Sequence, residues 1–386
     1  MPGILDAMVL ASRQLPGRLT GDQRKALWSL SKSFSAGRAT RTLLHGDVGT
    51  GKTWVYLVAS VAFARLGLPS VVLAPNAPLS AQIIAQVRSA WPDVDCGLCT
   101  ASIKDSNALL RVGTTALLGE IDAADENYGI LIVDEQHKFS VGQRSIPADH
   151  VIEVSATPIP RTLALAETGG WSLIAMKESP VPKTIRSHIL AAADRSAINA
   201  LAAQCIQSGK RVVYVYPLVQ DGPKSVISAH AKLDDYFKAH GGASLLHGQM
   251  SDAQKNQAVA DFKAGATKVL VCTTAAEVGL DVSGIGLMVV IDPHRYGASQ
   301  LHQMRGRLAR DGGQADFIMY TGDDVVAPKS MKRLEDVRDC QDGLELSRRD
   351  LDARGIGALV GAEQSGRQRT LFLRQGVSLD GLRASA

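Results

Sequence analysis

The sequence predicts an α/β protein made of two doubly wound lobes, each a parallel sheet with helices on both faces, with a cleft between them and a short helical segment after the second. Three observations predict it. Short apolar runs alternate with amphipathic stretches of helix length in two blocks, over 20–178 and 190–325. Strands joined by helices of that length run parallel, because the crossover has room to return to the same end of the sheet. The 386 residues exceed one ordinary core and suit two.

In the first block, strands are expected over 42–45, 71–74, 129–134 and 151–156, with helices such as 52–65 and 79–90 between them. The stretch Glu178-Ser-Pro-Val-Pro-Lys-Thr carries two prolines in polar surroundings and reads as an extended linker, 179–187. In the second block, strands are expected over 211–216, 244–247, 268–273, 287–292 and 315–320, and helices over 195–207, 252–264 and 299–310. Past 325 the character changes. Residues 328–341 read as a charged helix, and Arg348-Arg-Asp-Leu-Asp-Ala-Arg-Gly-Ile-Gly as a basic helix broken by glycines. The expected plan is therefore lobe one over 1–178, a linker over 179–187, lobe two over 188–325, and a helical hairpin with a tail over 326–386.

Composition narrows the class. Apolar residues make up 45% and charged residues 21%, as in soluble globular proteins. A net charge of +4 permits a polyanionic partner without demanding one. Cys96 and Cys99 have the spacing of a metal-ligand pair, but no second Cys or His pair completes four ligands, so ordinary thiols are expected. An odd count of five cysteines suits a reducing compartment. No apolar run approaches the roughly 18 residues of a membrane helix. A soluble, cytoplasmic protein with no membrane partner is expected.

The most specific motif is Gly46-Asp47-Val48-Gly49-Thr50-Gly51-Lys52-Thr53, after a strand and before a helix. Glycines let the backbone curl so that its N–H groups face phosphate oxygens, and the helix N-terminus adds partial positive charge. The motif predicts an ATP site, with Lys52 on the β- and γ-phosphates and the Thr53 hydroxyl on Mg²⁺. A metal carboxylate is expected at the end of a nearby strand, and Gly129-Ile-Leu-Ile-Val-Asp134-Glu135 supplies it. Asp134 would hold Mg²⁺, and Glu135 would polarise the attacking water. Ser155 and Thr157 in Ser155-Ala-Thr-Pro are small hydroxyls at a strand end that can exchange hydrogen bonds with the acidic motif.

The second block has no such loop. It ends on Gln303-Met-Arg-Gly-Arg307-Leu-Ala-Arg310. If this is helical, Arg307 and Arg310 share a face and can close on the γ-phosphate as arginine fingers do. Thr273 and Thr274 at a strand end suit a nucleic-acid phosphate, while Gly279 and Asp281 can reach the ribose of ATP. Each motif also has a plainer reading (a glycine-rich turn, an acidic turn, a solvated basic helix, a strand terminus). Their order and spacing together favour the functional one.

In that order the motifs resemble the RecA-like helicase core of superfamily two, and most closely the motor domains of RecG and Mfd. Leu15-Pro-Gly-Arg-Leu-Thr-Gly-Asp-Gln23 looks like an adenine-recognising segment. Asp134-Glu-Gln-His137-Lys-Phe-Ser-Val-Gly-Gln-Arg144 is similar to the extended acidic motif of RecG. Ser155-Ala-Thr-Pro-Ile-Pro-Arg161, His247-Gly-Gln-Met, the Thr273 segment and Leu301-His-Gln-Met-Arg-Gly-Arg follow in order. Arg349-Asp-Leu-Asp-Ala-Arg354 through Gln364-Ser-Gly looks like the translocation motif after the second lobe. The resemblance spans 15–366. It implies that Gln23 reads adenine and that Gln303, Arg307 and Arg310 act at the phosphates. It further implies that His137, Ser155, Thr157, Arg354 and Gln364 couple hydrolysis to movement, and that Pro75, Gly113, Thr114 and His247 touch nucleic acid.

Departures from the pattern are specific. Gly17 stands at an aromatic position, Asn76 replaces a threonine, and Ala309 replaces a glycine. Alanine suits a helix, so Arg307 and Arg310 are expected to keep their places. No N-terminal wedge domain fits ahead of the adenine segment, so the expectation is a motor that works on simpler substrates, uses its short C-terminal segment as the branch reader, or borrows a wedge from a partner. The resemblance implies ATP-driven movement on double-stranded or branched DNA. A helicase acting on single-stranded DNA or RNA is the alternative, and a non-catalytic nucleic-acid-binding subunit is a third reading.

Overall fold

A computed structural model describes residues 3–103, 105, 107–118, 127–135, 147–157, 170–219, 225–273, 282–322 and 325–354. The first lobe runs α1 (Ile4–Arg13), α2 (Gly21–Ser35), β1 (Thr40–Gly46), α3 (Lys52–Arg65), β2 (Ser70–Leu73), α4 (Ala77–Ala90), β3 (Cys96–Cys99), β4 (Leu110–Gly113), β5 (Tyr128–Asp134), β6 (Ala148–Ser155) and β7 (Ser172–Met176). Its seven strands lie in the order β3-β4-β2-β5-β6-β1-β7, and every pairing is parallel.

The local sequence explains the elements nearest the loop. Thr20 caps α2 reciprocally with Gln23: the Thr20 hydroxyl accepts from Gln23 N at 3.2 Å and Gln23 Oε1 accepts from Thr20 N at 2.8 Å. α3 is apolar all round, and every residue from Val55 to Phe63 is fully buried, as a central helix demands. Asn76 caps α4 through Oδ1, which accepts from Leu79 N at 2.9 Å. Trp91, also fully buried, donates its indole N–H to the Ala11 carbonyl at 3.0 Å and so ties α1 to the end of α4. Among the described residues, α1 to α4 pack on one face of the sheet.

The second lobe runs β8 (Lys183–Ala191), α5 (Arg195–Gln207), β9 (Arg211–Tyr216), α6 (Val226–Tyr236), β10 (Ala243–Leu246), α7 (Asp252–Ala264), β11 (Val269–Thr273), β12 (Ile285–Ile291), α8 (Ala298–Gly306) and β13 (Gly313–Gly322). Its strands are again all parallel, in the order β10-β11-β9-β12-β13-β8. One face packs α5 and α6, the other α7 and α8. The last described elements, α9 (Pro328–Asp339) and α10 (Gly343–Arg354), form a helical hairpin whose Leu334, Val337 and Leu346 join the second core.

Several expectations need correction. The linker does not extend to 187: Lys183 onward is β8, paired with β13. Its polar alternation hides it, because Ile185 and Ile189 face the core while Arg186 and His188 both meet Asp316, Arg186 through two 2.9 Å hydrogen bonds. Strands β3, β4 and β7 were not foreseen; β3 and β4 are four residues each and β7 five. The helix expected over 299–310 stops at Gly306. Arg307 caps it, and Ala309 sits at φ 48° in the left-handed region, so Arg307 and Arg310 do not share a helical face. Leu308 and Ala309 are instead drawn into the second core by the chain's reversal towards β13.

The conformation of Ala309 predicts an order of variants. Ala309→Gly should change stability by no more than about 0.5 kcal/mol, relief of the left-handed strain offsetting the lost methyl and the greater freedom of the unfolded chain. Ala309→Val should cost about 2 kcal/mol or more. A helical residue would show the reverse order, and urea denaturation of the two variants decides between them.

Candidate nucleotide site between the lobes

In an open parallel sheet, ligands bind beyond the carboxyl ends of the strands, and there the first lobe gathers its motifs. β6 lies between β1 and β5 and pairs with both. Ser155 therefore stands beside His45, at the mouth of the glycine-rich loop, and one strand from Asp134. The loop needs its glycines. Gly49 and Gly51 have φ of 93° and 77°. A side-chain carbon at Gly46 would come within 2.6 Å of Thr50 Oγ1 and 2.9 Å of the Met176 carbonyl.

Lys52 turns back on the loop, donating to the Gly46 carbonyl and, at 3.1 Å, to that of Asp47. Burial lowers its pKa, against the raising influence of Glu135, Asp134 and Asp47. Asp134 is pushed up to about 7, first by burial and then by the charge of Glu135. Tyr56, fully buried on α3, donates its hydroxyl to Asp134 Oδ2 at 3.0 Å and also hydrogen-bonds the Thr53 side chain. It thus joins the two expected metal ligands from behind. A hydroxyl and a carboxylate are hard oxygen donors, so this pair fits Mg²⁺. Glu135 sits at φ 56°, a strained conformation for a residue other than glycine.

Gln23, expected at adenine, is buried, and its amide is engaged. Oε1 accepts within the α2 cap while Nε2 donates to the Thr50 carbonyl at 2.9 Å. A side-chain carbon on Gly51 would overlap that Nε2. Gln23 therefore braces the loop from outside.

The second lobe meets the first at the loop and at the end of β6. Lys183 donates to the Val48 carbonyl at 3.0 Å and the Gly306 carbonyl at 3.3 Å, stapling the loop to the end of α8. Gly306 packs so closely that a side-chain carbon there would lie 2.7 Å from Val48. Gln303 Nε2 donates to Thr157 Oγ1 at 3.5 Å. Arg307 and Arg310 follow this contact, and the charge of Arg310 contributes to lowering the Lys183 pKa, which burial lowers most.

Asp47 is the polar centre of the interface. Its Oδ1 accepts from His302 at 2.7 Å and from Gly343 N at 3.3 Å. Arg305, buried, donates to His302 Nδ1 at 2.8 Å, to the Cys340 carbonyl at 2.8 Å and to the Val337 carbonyl. A guanidinium only donates, so His302 Nδ1 accepts and its proton sits on Nε2, facing Asp47. Burial lowers the His302 pKa, consistent with this neutral tautomer. Burial alone would raise that of Asp47, but the hydrogen bond from His302, with the charge of Lys52 nearby, outweighs it and holds Asp47 below the usual carboxylate range.

Of the residues expected to touch nucleic acid, Pro75, Gly113 and Thr114 line adjacent strand ends, β2 and β4 being paired. Thr273 ends β11 and His247 follows β10, and both are largely buried. His137, Thr274, Gly279, Asp281, Gln364 and the Arg354 side chain lie outside the described residues. Cys96 and Cys99 are free, buried thiols, and no cluster of metal-ligating side chains occurs among the described residues. No described helix is long and apolar enough to cross a membrane. Tyr56, Lys183, Asp47 acting through His302, and Gly343 are the contributors that sequence reasoning missed. Only Tyr56 left a trace, as a polar group in the otherwise apolar α3.

Comparison with known proteins agrees with this geometry. The family model described as the helicase conserved C-terminal domain matches residues 196–312, and that described as type III restriction enzyme, res subunit, matches 17–160. The chain is 32% identical over 383 residues to the ATP-dependent DNA helicase RecG of Aquifex aeolicus, covering 92% of this chain and 48% of that protein. It is 33% identical over 411 residues to RecG of Mycobacterium tuberculosis, covering 94% and 55%. The chain thus spans about half the length of the curated relatives it matches. A structure of RecG bound to a three-way DNA junction superposes with a TM-score of 0.70 at 26% identity, over 97% of this chain and 51% of that one. Saccharomyces cerevisiae Dbp5 bound to RNA and ADP BeF3, at TM-score 0.62 and 17% identity, covers 94% of this chain and 98% of its own and shares the fold.

The raised pKa of Asp134 gives a pH test. A carboxyl whose folded pKa lies above its unfolded value costs stability as pH rises from the unfolded value through about 7. Asp134→Asn removes that cost. In metal-free buffer the variant should therefore gain about 2–3 kcal/mol on wild type between pH 5 and pH 8. Parallel denaturation curves at the two pH values would show that Asp134 ionises freely in the fold.

Proposed function

We propose, from the premise that the chain carries a RecG-like motor region of helicase superfamily 2, that it is an ATP-driven translocase on double-stranded DNA. Its proposed task is the remodelling of branched structures, by fork reversal or by migration of a Holliday junction. The observation that carries the reading is the seating of the phosphate loop against the end of α8, where Lys183 holds Val48 and Gly306 together. The Arg307–Arg310 segment follows directly on Gly306, which supports a nucleotide reached from both lobes.

In this reading the loop's N–H groups and Lys52 bind the triphosphate, Thr53 and Asp134 hold Mg²⁺, and Glu135 accepts the proton of the attacking water. The metal, when bound, neutralises charge on the phosphate oxygens. Arg307 and Arg310 stabilise the charge that develops at the γ-phosphate, and Gln303 bonded to Thr157 carries the lobe contact to the end of β6. Opening and closing of the lobes then alternates the grip on phosphates between the Pro75, Gly113 and Thr114 side and the His247, Thr273 and Thr274 side. Contacts to phosphates read no sequence. Preference for a branch comes from the C-terminal segment or from a partner that supplies a wedge, and the proposed location is the cytoplasm.

Steady-state ATP hydrolysis with single strands, linear duplex and a model fork, at one low salt concentration, tests this reading. Duplex or fork should stimulate most, and Lys52→Ala should lower the stimulated rate by about a hundredfold or more. Strongest stimulation by single strands would replace the reading with an unwinding helicase, and full activity of Lys52→Ala would remove the ATP site from it.

A further inference from the structure

We propose that Asp342 and Gly343, at the head of α10, are positioning residues through which the phosphate loop acts directly on the C-terminal segment. The inference rests on the translocase reading above. By sequence these residues belong to the hairpin after the second lobe, yet their partners lie in the first. Asp342 Oδ2 is 3.1 Å from Lys177 Nζ, and Oδ1 is 3.7 Å from Nε2 of His45 on β1. The same carboxylate caps α10, accepting from Leu344 N at 2.9 Å and Glu345 N at 3.4 Å. The neighbouring N–H, that of Gly343, donates to Asp47 Oδ1.

Space at Gly343 is closed on three sides. A side-chain carbon there would overlap the Ala156 carbonyl oxygen and come within 2.8 Å of His302 Nε2 and 3.0 Å of Asp47 Oδ1. Three segments around the pocket therefore meet at one Cα: the phosphate loop, the end of β6 and α8. The second lobe holds the same turn through Arg305 and the carbonyls of Val337 and Cys340. The turn before α10 is thus gripped by both lobes. A displacement of Asp47 or Ala156 relative to α8 must move the head of α10, a 12-residue helix that leads to Arg354. Interfaces packed this closely shift between discrete arrangements rather than deform smoothly.

Asparagine caps a helix as well as aspartate does, so Asp342→Asn keeps α10 while removing the charge that holds Lys177. In the full chain, this variant should keep basal ATP hydrolysis within about twofold and leave the KM for ATP unchanged, while its duplex-stimulated kcat falls about tenfold. Hydrogen exchange should show wild-type residues 343–354 gaining protection with a non-hydrolysable ATP analogue, and Asp342→Asn losing that response. Lys177→Met should reproduce the loss, and the double variant should add nothing further. Gly343→Ala, which displaces Asp47 or Ala156 without touching charge, should likewise remove the exchange response and the duplex stimulation, read as the ratio to its own basal rate. Wild-type stimulation and wild-type exchange in both Asp342→Asn and Gly343→Ala would overturn the proposal. If no DNA stimulates the wild-type chain, the translocase reading fails by itself. The exchange response then decides this one: its presence in wild type and loss in Asp342→Asn sustains the link, and its absence from wild type overturns it.

Discussion

Asp47 points away from the phosphates its loop would hold and towards the other lobe. Its Oδ1 accepts one hydrogen bond from His302 Nε2 and another from the backbone N–H of Gly343. The Asp47 side chain is still 37% exposed, so it is these two directed donors, more than any cost of burying the charge, that fix where the carboxylate points. The loop is therefore held in one relation to α8 and to the hairpin by the two donors that meet a single carboxylate. Lys183 adds to the constraint by occupying carbonyls on both sides of the boundary. Other contacts across the cleft, among them Gln303 with Thr157 and Gly306 with Val48, fit within the spacing these polar groups set.

The parts of the fold legible in sequence were those whose signal is local. The glycine-rich loop, the apolar run that ends in Asp134, and helices such as 52–65, 195–207 and 252–264 are each written in consecutive residues. They stand at the bounds expected. Strands β3 and β4 were hidden because four residues carry too little pattern, and β8 because its outward face bears Arg186 and His188. The end of α8 was misplaced for a different reason. Alanine favours helix by propensity, and the burial of Leu308 and Ala309 as the chain turns towards β13 overrides that preference.

In the site, the motif residues were legible and their partners were not. Lys183 looked like part of a polar linker, and nothing in its neighbours announces a contact with Val48. Asp342 and Gly343 fall between the two helices expected at 328–341 and from Arg348, and no expectation attached to them. Each acquires its role from a residue more than a hundred positions away, which only the folded chain brings close. Gln23 shows the converse. It occupies the expected segment, but its amide is satisfied by the helix cap and the loop carbonyl, so its position in the motif did not reveal its contacts.

The order of the first sheet bears on how the chain is made. β1 is flanked by β6 and β7, so the strand that launches the phosphate loop finds both neighbours only among residues 148–176. During synthesis the segment 40–53 emerges early and stays without its sheet partners until more than a hundred further residues have followed. A parallel sheet gives no hairpin to shelter such a strand in the interval. The apolar α3, which follows directly, can meet α1 and α2 at once but must wait for the sheet, its remaining surface exposed to whatever else the nascent chain meets. The most recognisable stretch of the sequence is thus among the last to be secured, and production of this lobe in a cell depends on how that interval is covered.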